Sequence, residues 1–390
     1  MDFTKLTAYL DSLEQAYEVH GLDCKIMRGH ETVYRHMAGH RDYALSIPVS
    51  ETDLYDVYSC TKIITMVSVM QLVEQGRILL DDPLAKYLPE FSDMQVATDF
   101  PIGEWPFAWP TLASPLTPAK HPILIRDLMS MTAGLSYDVF SEPIQEMKRE
   151  SGNQANTREM MKAIARMPLV AEPGTRFSYA LGHDVLAAVV ELVGGEPFSL
   201  HVKKHIFDPL GATEMYFHLS DSEKSRLSAQ YMRDFETGVI APSSDMVYRL
   251  TDRYDSGGAG LTCSVDSYSL VLDALANGGV GATGLRILKP ESILAMSENQ
   301  LNEQQLNDFS KAGKIGYGYG LGVRTLIDSS KSKSPVGEFG WDGAAGAFAL
   351  VDPTNQISIF YAHEIIGMLA AYSEIHPTVR DLAYEAMLGA

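Results

Sequence analysis

The stretch that most constrains this chain runs from Val57 to Gly76. A β-branched and aromatic approach leads into Ser59-Cys60-Thr61-Lys62, after which Ile63 to Val73 is apolar at nearly every position. The approach reads as extended and the run as a helix that stops near Gly76. A helix that is hydrophobic all round belongs inside a large domain and not on its surface. Ser59 and Lys62 stand three residues apart, on one face of the first turn. A lysine at the mouth of a buried helix is costly unless it is paired or loses its proton. Desolvation favours the neutral amine, and a neutral amine beside a hydroxyl is a base beside a nucleophile.

The 390 residues suffice for one large core or two subdomains. Fifty acidic side chains against 31 basic ones leave a net charge of −19, a field that repels nucleic acid and anionic membrane. No uncharged apolar stretch reaches membrane-spanning length. The first residues, Met1-Asp2-Phe3-Thr4-Lys5-Leu6, do not read as a signal peptide. Cys24, Cys60 and Cys263 are odd in number, widely spaced and free of any C-x-x-C pair. Free thiols in a reducing, cytoplasmic setting are the expectation.

Along the chain, residues 4–20 carry leucines at helical spacing, and Cys24 to Met27 and Thr32 to Met37 read as strands turning at Gly29-His30. Residues 92–122 hold six prolines and form the candidate functional loop, with Trp105 and Trp109 as a candidate lining for an acyl pocket. Polar helices are expected within 138–166, and further helices at 183–193, 198–206, 264–276, 290–298 and 375–388. Tyr317 to Ile327, Gly343 to Val351 and Gln356 to His363 read as late strands. Strands near both ends with helices between them imply an α+β fold. The expected division is a discontinuous sheet domain, 1–80 with 260–390, and a mostly helical domain over 81–259 that carries Tyr179.

Several motifs invite a metal or phosphate. His30, His36 and His40 fall on alternating faces of a hairpin with no Cys or carboxylate to complete a ligand set. His201 and His205 are an i, i+4 pair without the intervening glutamate of H-E-x-x-H, and Lys203 and Lys204 between them favour a solvated face. The glycines at 257–260 and 278–284 lack phosphate-loop patterns and read as turns. No metal and no cofactor are expected. Ser-x-x-Lys also recurs at Ser330–Lys333, in a polar loop where the lysine stays hydrated, and no G-x-S-x-G elbow exists.

Taken together, several motifs resemble the serine β-lactamase and penicillin-binding-protein superfamily, in its class C-like branch with the family VIII carboxylesterases. The resemblance rests on Ser59–Lys62, on Ile125 to Leu135, on Phe177-Ser178-Tyr179-Ala180-Leu181, on Gly257 to Leu261 and on Phe339 to Gly346, in that order along most of the chain. It implies a β-lactamase/transpeptidase-like fold, an antiparallel sheet flanked by helices with an inserted helical region. It implies Ser59 as the nucleophile of an acyl-enzyme, Lys62 and Tyr179 sharing the proton work, and the backbone amides of Ser59 and Ala344 as the oxyanion hole. Which of Lys62 and Tyr179 takes the Ser59 proton stays open.

The departures bear on substrate. Leu181 stands where β-lactam-hydrolysing relatives carry an Asn, and Trp341 stands where members carry the Lys or His of Lys-Thr-Gly or His-x-Gly. With Asp342 and Gly343 these are the candidate substrate-binding residues. A leucine makes no amide hydrogen bond, and a tryptophan offers no cation to a carboxylate. The expected substrate is a small neutral ester with an apolar acyl group, handled by an esterase or a related acyltransferase. An amidase or β-lactamase on the same scaffold is the alternative, and a non-catalytic binding protein a third.

Overall fold

The computed structural model describes residues 1–98, 100–102, 109–243, 246–311 and 313–389. In chain order, the elements that frame the site are helix α1 (Thr4–Tyr17), strands β1 (Gly21–Arg28) and β2 (Glu31–Gly39), helix α2 (Thr61–Glu74), helix α3 (Gly182–Gly194) and helix α4 (Val265–Ala276). Five strands follow, β3 (Tyr317–Tyr319), β4 (Arg324–Leu326), β5 (Phe339–Asp342), β6 (Phe348–Asp352) and β7 (Ile357–Ala362), and then helix α5 (His376–Leu388).

The seven strands make one antiparallel sheet in the order β3-β4-β5-β6-β7-β1-β2. Opposite regions of the chain meet at its centre, where β1 pairs with β7 from Asp23↔Ala362 to Arg28↔Ile357. Side chains alternate across a strand. Phe348 and Leu350 of β6 accordingly join the apolar layer with α1 and α5, while Ala349 and Val351 join the layer that holds α2 and α4. Both faces are covered, which is why β6 and β7 are buried along their whole length. Tyr268 of α4 stacks on Phe360 of β7 with ring centroids 4.3 Å apart.

The α+β, β-lactamase/transpeptidase-like expectation agrees with this architecture, and the differences are local. The stretch read as one strand from Tyr317 to Ile327 is two, β3 and β4, broken at Gly320-Leu321-Gly322. The stretch read as a strand from Gly343 is a turn: β5 ends at Asp342, the Gly343 amide donates to the Ala347 carbonyl at 2.7 Å, and the chain returns as β6. A Cβ at Gly343 would sit 2.5 Å from the Val57 carbonyl oxygen, so only glycine lets this turn lie against the approach to Ser59. His30 and His36 each face their own carboxylate, Asp273 and Asp11, both at 2.7 Å. Cys24, Cys60 and Cys263 are free and buried. Among the described residues no single helix is long and apolar enough to cross a membrane.

Candidate active site

Three segments far apart in the chain converge on Ser59. The first is its own approach. Tyr55-Asp56 pairs antiparallel with Thr262-Cys263, and the Val57 amide donates to the Leu261 carbonyl at 3.1 Å. Ser59 then lies in a single 3-10 turn, Tyr58–Cys60, just ahead of α2. It is therefore presented before the helix and not on its first turn. The turn is entered through Tyr58 with φ +43°, a left-handed conformation that costs a bulky residue on the order of 1–3 kcal/mol. Surrounding contacts hold it there: the Tyr58 hydroxyl donates to Gln230 Oε1 at 2.5 Å, and its carbonyl accepts from the Thr61 hydroxyl at 2.6 Å. The strained residue thus falls immediately before Ser59, where other folds place a glycine-flanked elbow around a serine.

Pairing residue 56 with residue 262 also brings the glycine turn at 257–260 beneath Lys62. The Lys62 ammonium nitrogen lies 3.2 Å from Ser59 Oγ, 2.7 Å from the Gly258 carbonyl and 3.5 Å from the Tyr137 hydroxyl, and 4.7 Å from the centre of the Tyr179 ring. Its side chain is fully buried, and burial pulls its pKa from 10.5 down to about 7 against the opposing pull of Asp184. Asp184, on α3, accepts from Tyr254 at 3.0 Å and from Ser256 at 2.7 Å. A Cβ at Gly258 would lie 2.3 Å from Asp184 Oδ2. The carboxylate and the glycine turn are thus packed so closely that one fixes the other, and together they aim the carbonyl that holds Lys62.

The second segment carries Tyr179. Arg176 makes a two-pronged ion pair with Asp308 at 2.7 and 2.6 Å, and the Ser178 amide donates to the Met131 carbonyl at 2.9 Å. Leu181 then opens α3. Tyr179 stacks on Trp341 with centroids 5.5 Å apart, and the Trp341 indole N–H donates to its hydroxyl at 3.0 Å. Burial raises the Tyr179 pKa well above that of an ordinary phenol, while hydrogen bonds from Ser59 and Trp341 pull against it.

The third segment is the end of β5 with the turn after it. Among the described residues no backbone carbonyl takes the Ala344 amide. The Tyr372 hydroxyl lies 3.1 Å from both the Gly343 and the Ala344 carbonyls, which ties this turn down from outside. Ser59 and Ala344 both face one cavity of about 390 Å³, walled by Trp109, Tyr137, Tyr179, Tyr248, Lys314, Trp341, Asp342 and Tyr372.

Two expectations about this wall need correction. Leu181 is only 2% exposed, packs in the core and is not among the residues lining the cavity; its backbone starts α3, which turns the side chain inward. Gly343 is not on the wall either, because it packs on Val57. The apolar character expected from Leu181 comes instead from the aromatic rings. The wall also carries a cation that sequence reasoning missed. Lys314 lies 5.7 Å from the Trp341 ring and 5.5 Å from that of Tyr372, and its ammonium is paired with Asp342. Burial alone would raise the Asp342 pKa, but Arg324 at 3.6 Å, Lys314 and His376 at 3.0 Å outweigh it and hold the carboxyl well below its usual range. The cation is therefore ion-paired inside the wall, to a carboxylate it shares with Arg324.

Tyr137, Tyr248, Lys314 and Tyr372 had no spacing signal, and the Ile125–Leu135 motif stops two residues short of Tyr137. Trp109 joins the wall, while Trp105 lies outside the described residues. The second Ser-x-x-Lys is on the surface, with Lys333 3.1 Å from Glu385.

The beta-lactamase family model matches residues 6–365. The chain belongs to the beta-lactamase family. Within the curated relatives, an acyltransferase, calJ, of Penicillium decumbens is 28% identical over 93% of this chain and 92% of its own. The lovastatin esterase of Penicillium rubens is 29% identical over 72% of each. Among solved structures, EstCE1, described as a hydrolase with promiscuous acyltransferase activity, superposes with a TM-score of 0.79 at 23% identity, over 98% of both chains. That last likeness speaks for the beta-lactamase fold alone.

Proposed function

We propose that this chain is a serine hydrolase that forms an acyl-enzyme on Ser59, an esterase for short-chain carboxylic esters. The observation that carries this reading is an amine with a pKa of about 7 held 3.2 Å from a serine hydroxyl at the base of an aromatic cavity. Of the two candidate bases, Lys62 is the one with a substantial free-base fraction at neutral pH; Tyr179 is pushed the other way and keeps its proton.

In this reading neutral Lys62 takes the Ser59 proton as Oγ bonds to the carbonyl carbon. The carbonyl oxygen becomes an oxyanion between the Ser59 and Ala344 amides. Collapse breaks the bond to the alcohol oxygen, which receives the Tyr179 proton, and Lys62 restores it to the phenol. Water then attacks the acyl-Ser59 ester, or a second alcohol does so and receives the acyl group. The relatives named as an esterase and as an acyltransferase support these two outcomes.

The alternative, an amidase or β-lactamase, is less well supported, because Lys314, the one cation among the described residues of the wall, is already paired with Asp342. Turnover of p-nitrophenyl butyrate, a chromogenic cephalosporin and a D-amino-acid amide separates the readings. Intact mass spectrometry with an ester panel is expected to show an acyl adduct on wild type and none on Ser59→Ala. Turnover by Ser59→Ala at the wild-type rate overturns the assignment.

A further inference from the structure

Away from the cavity, α3 ends at Gly195, which has φ +82°, and the chain turns through Glu196-Pro197 into a short helix, Phe198–Val202, that widens into a π-helical turn, Lys203–Phe207. We propose that Glu196, His201 and His205 in this corner form a binding site for one divalent transition-metal ion of the zinc type.

The distances fit such an ion. Glu196 Oε1 lies 3.5 Å from His201 Nδ1 and 3.3 Å from His205 Nε2. Metal–ligand bonds of about 2.0–2.1 Å in a tetrahedron place neighbouring ligand atoms roughly 3.3–3.4 Å apart. One ligand atom from each of the three residues falls within 4.8 Å of the others, and the two imidazole centroids are 4.5 Å apart. Two imidazoles and one carboxylate suit zinc, cobalt or nickel, and not magnesium or calcium, which prefer oxygen.

A second observation is independent of these distances. His201 is 3% exposed, and neither of its ring nitrogens has a hydrogen-bond partner. Its solvated-face reading from sequence is therefore wrong, because only Lys203, Lys204 and His205 of that stretch reach water. Burial favours the neutral imidazole, the form with a lone pair to give. The absence of a side chain at Gly194 leaves room for the ring, since a Cβ there would lie 2.7 Å from His201 Nδ1. The π turn is a rare geometry that recurs at functional positions, and here it carries His205.

Lys204 is the competing cation, 3.6 Å from the same Glu196 oxygen, but its side chain is 61% exposed and free to swing into water. The His205 carbonyl accepts from Gln71 of α2 at 3.0 Å. A bound ion would thus pin the end of α3 to the end of the helix that follows Ser59, on the side away from the cavity. Its role would be structural.

The test uses the full chain stripped with a chelator and desalted. Titration with Co²⁺ is expected to give tetrahedral d–d absorption that saturates at one equivalent, and Zn²⁺ is expected to displace it and raise the melting temperature. His205→Ala and Glu196→Gln, both changed at partly exposed positions, should lose the absorption and the shift while melting cooperatively. Absence of Co²⁺ uptake by wild type overturns the proposal. So does uptake by both variants equal to that of wild type, which would put the ion elsewhere on the chain.

Discussion

The hydrogen bond from Trp341 to Tyr179 offers a way to see whether the phenol donates a proton to the leaving alcohol. Trp341→Phe keeps an aromatic ring for the stack at 5.5 Å and removes only the indole donor 3.0 Å from the hydroxyl. If Tyr179 gives up its proton as the alcohol departs, that donor faces a developing phenolate in the transition state. A hydrogen bond to a charged group contributes about 1.5–3 kcal/mol, and losing it slows the step roughly 10- to 150-fold. An alkyl ester, whose alkoxide must be protonated, should feel this in full. A p-nitrophenyl ester has a leaving group stable as its anion, so there the loss is that of a neutral hydrogen bond, about 0.5–1.5 kcal/mol or roughly 2- to 12-fold. The assay is kcat/KM for ethyl butyrate and for p-nitrophenyl butyrate, wild type against variant. A larger fall on the alkyl ester is expected. Equal falls on the two esters would refute the reasoning, because Trp341 would then act only by shaping the cavity.

Four other outcomes follow from the geometry. The active form of Lys62 is the neutral amine, so kcat/KM for acylation should climb about tenfold per pH unit below the Lys62 pKa and level off above it, near the value of about 7 that burial produces; a profile flat from pH 5 to 9 would contradict this. Lys62→Arg, which keeps its proton at every usable pH, should cost about 10²–10⁴-fold in kcat. Tyr372→Phe removes the one hydroxyl proton shared by the Gly343 and Ala344 carbonyls and should lower kcat roughly 2- to 12-fold, the size of one neutral hydrogen bond, with the urea midpoint showing how much is stability. Gly258→Ala drives a Cβ against Asp184 and should destabilise the fold by about 1–3 kcal/mol, read from the same urea curves.

What is legible in the sequence is what local pattern carries. Ser59 and Lys62 stand out because a lysine leading an all-apolar helix has few inexpensive explanations, and the two-ended sheet follows from where the strand-like runs lie. Tyr179 is one of 19 tyrosines and is legible only through its resemblance to a motif. The rest of the site depends on long-range pairing. Gly258 reads as a plain turn until the match of residue 56 with residue 262 puts its carbonyl under Lys62. Lys314 sits in a loop without apolar periodicity, and nothing along the chain announces its ion pair with Asp342. Leu181 is legible only by its place in a motif, but the residue that caps a buried helix is positioned by the core that helix enters.

The pairing of β1 with β7 also sets when the cavity around Ser59 can exist. During synthesis the first hairpin leaves the ribosome while the partner strand, from Ile357 to Ala362, is still untranslated. At about 5–20 residues per second the wait is on the order of 15–65 s. Until then one edge of β1 is bare, and Trp341 and Ala344, which complete the cavity around Ser59, come from that same late portion. A nascent chain therefore carries Ser59 without the residues that wall its cavity. Under the proposed function, acyl transfer waits until Ala362 has been synthesised, and the bare strand edge is open to pairing with other chains in the meantime.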